Sequence, residues 1–192
     1  DAVVFQQHPV ANHAMITEDF GNPCAADGPP YINDCDLDVA FALLQHIYGP
    51  APLQPAAGAL EAVQRFDQRP FFDAADARVS LHASGHVYVP ARCRQGARCR
   101  LHVAFHGCRQ SEDEIGDAFY GGAGYNAIAE SNAIVVLYPQ VRAWTASWFQ
   151  QYRENPRGCW DWWGYSGADY ALKSGKQMRA VAAMIAALTG KD

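Results

Sequence analysis

Apolar positions along the chain follow two rhythms. In DLDVAFALLQHIY, residues 36–48, Leu37, Ala40, Phe41, Leu44 and Ile47 share one face at helical spacing, and Gly49-Pro50 closes the run. Helical spacing returns in SEDEIGDAFYGGAGYNAIAESN, kinked or broken at Gly121-Gly122, and in SGADYALKSGKQMRAVAAMIAALTG, which ends at Gly190. Strand rhythm appears in SGHVYVP, which alternates and stops at Pro90, and in RLHVAFHG after the Cys93 to Cys99 stretch; these two are expected to pair. AIVVLYPQ is a continuous apolar run of the buried-strand kind. Strand, helix, strand, helix predicts an α/β fold with a parallel sheet and flanking crossover helices. Ahead of these, residues 1–36 are dense in Pro, Gly, Asn and Asp and read as loop after a short strand at AVVF. APLQPAAGAL reads as a connector and EAVQRFDQRPFF as short irregular or strand structure.

Composition narrows the class. A chain of 192 residues, 49% apolar and 18% charged, can bury one sizeable core, so a single domain or most of one is expected. Its net charge of −5 leaves no basic footprint for a phosphate backbone, and the arginines from Arg92 to Arg100 form only a local cluster, which excludes nucleic acid as a partner. No window holds 18 consecutive apolar residues, and DAVVFQQHPV has neither a charged n-region nor an h-region, so neither a membrane span nor a signal peptide is expected. The absence of an initial Met suggests that an upstream segment has been removed or that the chain begins inside something larger.

Six cysteines, at 24, 35, 93, 99, 108 and 159, contain no CxxC pair, which argues against zinc and for disulfides. Six thiols allow about 15 pairings. Short loop closure favours Cys24 with Cys35 and Cys93 with Cys99, leaving Cys108 and Cys159 for a long-range bridge. Three bridges would place the protein in an oxidising compartment, with secretion as the implied address.

The strand RLHVAF stops on His106-Gly107-Cys108. In α/β-hydrolases a loop after an early strand supplies a backbone N–H to the oxyanion hole. A glycine there lets the chain turn tightly, and the next amide can point at a carbonyl oxygen that becomes negative in a tetrahedral intermediate. His106 would steady such a loop, and a disulfide at Cys108 would hold the donor in place. Yet none of the serines at 80, 84, 111, 131, 147, 166 and 174 lies in a G-x-S-x-G elbow after a buried strand, and no His or carboxylate cluster has metal-ligand spacing. If the fold is circularly permuted, the elbow strand lies upstream of Asp1 and the catalytic histidine loop falls near the start, where VANHAMITEDFGNPC presents His13.

Together the blocks NHAM, PPYINDCDLD, LLQHIYGP, HVYVP, LHVAFHGCRQ, GDAFYGGAGYNAIAESNAIVVLYPQ and NPRGCWDWWGYSGADYALKSGKQM resemble the secreted poly(3-hydroxybutyrate) depolymerases, a family with a circularly permuted α/β-hydrolase catalytic domain. The resemblance covers nearly all of the chain and makes it the C-terminal portion of a single catalytic domain, residues 1–192. It implies a Ser-His-Asp esterase acting outside the cell on polyhydroxybutyrate, short-chain polyhydroxyalkanoate or their oligomers, with no cofactor. Serine and aspartate would come from an N-terminal segment, and this polypeptide would have no hydrolase activity without it. By the same resemblance His13 is the general base, the Cys108 N–H is the oxyanion donor supported by His106 and Gly107, and Cys159 is the disulfide partner of Cys108. Trp160 is implied to contact substrate. If CWDWWGY is extended, Trp162 points the same way as Trp160, forming part of an aromatic wall, while Asp161 serves as a structural hydrogen-bond acceptor. A feruloyl or cutin-type esterase on the same scaffold, or a non-catalytic polymer-binding fragment, are the competing readings.

Overall fold

The computed structural model describes residues 3–5, 10–145 and 154–190. Two sheets organise them. In the smaller, β1 (Met15–Thr17) and β2 (Asn22–Pro23) both run parallel to β3 (Ile32–Asp34), which lies between them. Buried Asn33 donates through Nδ2 to the carbonyls of Cys24 and Ala26, and the Cys24–Cys35 disulfide closes the same loop. Residues 3–5 are not strand.

Helix α1 spans Val39–Tyr48 and begins later than the apolar periodicity suggests, because the Asp38 carboxylate accepts the Phe41 N–H at 2.8 Å and so caps the helix. Ala40 and Leu44 are fully buried from its inner face, whereas Ile47 stays half exposed.

The larger sheet has the order β4-β5-β7-β6, with β4 (Gln64–Asp67), β5 (Ser84–Tyr88), β6 (Arg100–Val103) and β7 (Ile134–Tyr138). It is mixed: β6 runs parallel to β7, while β5 is antiparallel to both β7 and β4. The expected pairing of SGHVYVP with RLHVAFHG does not occur, because β7 lies between them. β7 is the most apolar strand and is covered on both faces, so it takes a central place, whereas β6, interrupted by Arg100 and His102, remains at the border. The short helix α2 (Ala91–Arg94) and the loop closed by Cys93–Cys99 carry the chain from β5 past β7 to β6.

The stretch expected as one helix with a break at Gly121-Gly122 is three short helices, α3 (Glu112–Ile115), α4 (Ala118–Gly122) and α5 (Tyr125–Asn132). The breaks fall at Gly116 and Gly124, whose φ angles of +62° and +89° end each helical run. Gly122 serves packing instead, since a Cβ there would lie 2.2 Å from the Phe20 ring. α5 and α1 cover one face of the sheet, where Ile134, Val136 and Tyr138 meet Leu44, Ile128 and Ala129. On the other face Leu137 meets Ala180 and Met184 of α6 (Lys176–Thr189). α6 ends as expected at Gly190, but residues 166–175 are turns rather than its first part.

Candidate active site

The chain turns sharply at the C-terminal end of β6, and three contacts determine the turn. The Gly107 N–H donates to Gln110 Oε1 at 2.7 Å, so a Cβ on Gly107 would strike that same oxygen. Gln110 is itself held, its amide donating to the carbonyls of Pro30 at 3.1 Å and Tyr31 at 2.9 Å. The Arg109 N–H donates to the Arg157 carbonyl at 2.7 Å, alongside the Cys108–Cys159 disulfide. Between these two anchored amides the N–H of Cys108 donates to no acceptor among the described residues, on a residue that is exposed. A fixed backbone donor without an intramolecular partner is what an oxyanion site requires.

His106, 2% exposed, sits directly beneath the turn. Nδ1 is 2.7 Å from the Gly107 carbonyl and Nε2 accepts the Val141 N–H at 3.2 Å, so the ring is neutral with its proton on Nδ1. Burial pushes its pKa down to about 4. A folded pKa below the ordinary histidine value means that the unfolded chain takes up a proton that the folded chain refuses. Stability is therefore complete above pH 6.5 and declines as pH falls toward 4. That range corresponds to about 3 kcal/mol. Denaturant melts at pH 7 and pH 4.5 are expected to differ accordingly, and His106→Asn is expected to remove most of the difference; an unaltered gap would refute this account of the buried ring.

A separate polar cluster gathers at the start of α3. Glu112, at the start of α3, accepts the Ser84 hydroxyl at 2.8 Å and bonds closely with His86 Nε2, while His82 Nδ1 is 2.9 Å from it and Arg65 is 3.2 Å away. Burial opposes the Glu112 charge, but hydrogen bonds from His86 and Ser84 outweigh it and leave the carboxyl below its usual range. Burial also holds His86 below the ordinary imidazole value against the pull of Glu112. Both groups lose stability on acidification, in the same direction as His106. The sequence carried a signal for this cluster, since His82, Ser84 and His86 alternate and so share one face of an extended chain.

His13 precedes β1 rather than following a strand. Its segment is tied to the disulfide-closed loop by the Met15 N–H, which donates to the Tyr31 carbonyl at 2.9 Å, and by the Asn12 N–H to the Cys24 carbonyl at 3.4 Å. The side chain is exposed and lines a cavity of about 420 Å³ together with Gly107, Cys108 and Gln110. The sequence-predicted imidazole and amide thus share one cleft. Tyr31, Arg109 and Arg157 also line it and were not singled out from the sequence, although Arg109 directly follows the HGC turn.

The two tryptophans are not brought together. Trp160 packs edge-on against Phe105 with ring centres 4.8 Å apart, lies 6.0 Å from the His106 ring, and lines a separate apolar groove of about 540 Å³ with Val103, Met178, Val181 and Ile185. Trp162 is 70% exposed and meets Trp163 instead. The reason is Asp161, whose carboxylate accepts the N–H groups of Trp163, Gly164, Tyr165 and Ser166 and winds the segment into turns, so alternation fails there. The same four bonds give Asp161 its structural role. Trp148, Phe149 and Tyr152, which precede the tryptophan segment in the sequence, lie outside the described residues, as does His8.

No protein-family model matches the chain. It is 40% identical over 190 residues to a poly(3-hydroxybutyrate) depolymerase of Delftia acidovorans, covering 95% of this chain and 35% of that protein. It is 37% identical over 168 residues to a polyhydroxybutyrate depolymerase of Talaromyces funiculosus, covering 85% of this chain and 48% of that protein. The crystal structure of the PHB depolymerase from Penicillium funiculosum superposes with a TM-score of 0.84 at 35% identity, over 95% of this chain and 59% of the other. Over part of their length, this chain is a relative of the polyhydroxybutyrate depolymerases. A second depolymerase structure, a variant complexed with an R3HB trimer, superposes at 0.80 with the same coverage. The chain therefore spans between about a third and a half of the depolymerase sequences it matches. All three disulfides form as the cysteine spacing and the resemblance led one to expect, Cys24–Cys35, Cys93–Cys99 and Cys108–Cys159, and they fit an oxidising compartment. Among the described residues no helix is long and apolar enough to cross a membrane, and no group of three or more metal-binding side chains occurs.

Proposed function

We propose that this chain is the C-terminal portion of the catalytic domain of a secreted carboxylic ester hydrolase that degrades polyhydroxybutyrate, short-chain polyhydroxyalkanoate or their oligomers. The observation that carries the reading is the shared cleft of His13 and the unpartnered Cys108 amide. In this reading an N-terminal segment of the same circularly permuted domain brings a serine and an aspartate to that cleft. His13 takes the serine proton as the hydroxyl attacks the ester carbonyl, then returns it to the departing alcohol. The aspartate orients the imidazole and stabilises its charged form. The carbonyl oxygen, negative in the tetrahedral intermediate, accepts from the Cys108 N–H, whose position costs nothing to reorganise because Gly107, Arg109 and the disulfide already hold it. Water repeats the sequence on the acyl-enzyme.

The groove beside Trp160 and the half-exposed ring of Phe105 offer apolar surface to a polyester chain. The purified chain is expected to bind polyhydroxybutyrate granules without releasing soluble hydroxybutyrate, and to gain hydrolysis when joined to a segment carrying the serine and aspartate. Hydrolysis by residues 1–192 alone would overturn the assignment of the nucleophile. Granule binding that survives Trp160→Ala unchanged would overturn the role of the groove.

A further inference from the structure

The chain carries a net charge of −5, yet the cavity that holds His13 and the Cys108 amide is lined by two arginines and, among the described residues, by no carboxylate. Arg109 and Arg157 face it beside Tyr31. The guanidinium of Arg109 has a weak partner, with Nη1 donating to the Tyr31 hydroxyl at 3.3 Å. The acid whose field reaches it is Glu114 of α3, which does not line the cavity. The backbone adds to the case. Arg109 has φ +61°, the left-handed region that favours glycine. The disulfide on one side and the Arg109 N–H bond to the Arg157 carbonyl impose that conformation, and it directs the side chain from the same turn that presents the Cys108 amide.

A polyester interior is uncharged, and only the free acid end of a chain or oligomer carries an anion. An always-charged guanidinium with a spare donor fork matches a carboxylate and has no partner on an internal repeat. We propose that Arg109, assisted by Arg157, forms a carboxylate subsite that gives this cleft a preference for the acid terminus of hydroxyalkanoate chains and soluble oligomers. The inference rests on the esterase reading of the cleft and adds its substrate class, chain ends rather than chain interiors.

The test uses the whole chain and two probes, the 3-hydroxybutyrate trimer as free acid and the same trimer as its methyl ester. Binding is followed by the His13 imidazole resonances in NMR titrations at low and high salt. The acid is expected to bind about tenfold more tightly than the ester at low salt. Arg109→Gln is expected to bring that ratio close to one by weakening the acid alone. Added salt should narrow it in the wild-type chain, a measurement that stands even if the variant folds poorly. Equal binding of acid and ester, both moving His13, would overturn the carboxylate subsite and leave the esterase reading intact. Failure of both probes to move His13 would overturn the two together. If acetate competes as well as the trimer acid itself, the site is a general anion site and the oligomer assignment falls.

Discussion

Once the chain is joined to the segment that supplies serine and aspartate, His13→Ala is expected to reduce ester hydrolysis by about 10⁴-fold or more, because neither proton transfer has another carrier. The loss should fall on kcat, since nothing that binds the polyester is removed. Stability should barely change. The imidazole is exposed, and the contact made at this position is the backbone N–H donating to Asn12 Oδ1 at 2.9 Å, which alanine keeps. Turnover of a soluble hydroxybutyrate ester, measured beside a thermal melt, separates the two quantities. Retention of more than a tenth of the activity with an unaltered melting temperature would show that the base is some other residue.

The second large effect belongs to the Cys108–Cys159 bridge. It spans 51 positions, against 6 for Cys93–Cys99. Loop-closure entropy makes the longer bridge worth about 4 kcal/mol and the shorter about 2. Cys108→Ala together with Cys159→Ala is thus expected to lower the melting temperature by about 10 °C in a domain of this size, and Cys93→Ala with Cys99→Ala by about half of that. The functional outcome should differ more sharply. Only the longer bridge holds the turn that presents the Cys108 amide, and loosening an oxyanion donor costs about 10²-fold in turnover. Paired melts and rate measurements on both double variants check this, and equal losses from the two would contradict the placement of the donor.

Much of the molecule was legible in the chain. The 3.6-residue rhythm of α1 and α6 and the apolar run of β7 each specify an element locally, because a face must be buried whatever its partner. The quoted blocks identified the depolymerase relationship, and cysteine spacing together with that resemblance anticipated the three bridges. At CWDWWGY the reading failed because a side chain capturing nearby backbone amides overruled the strand rhythm. Four amides gathered by the Asp161 carboxylate turned an apparent alternation at CWDWWGY into a loop.

What the sequence determined by itself is the stock of parts, namely a histidine at 13, a glycine before a cysteine at 107 and 108, and apolar segments long enough to enclose a core. Periodicity carries no information on which strands become neighbours. Insertion of β7 between β5 and β6 was decided by burial on both faces, a property of the assembled sheet. The cleft was decided in the same way. His13 and Cys108 are separated by about half of the chain, and they meet because the Tyr31 carbonyl accepts both from Met15 and from the Gln110 side chain, joining the small sheet to the turn after β6.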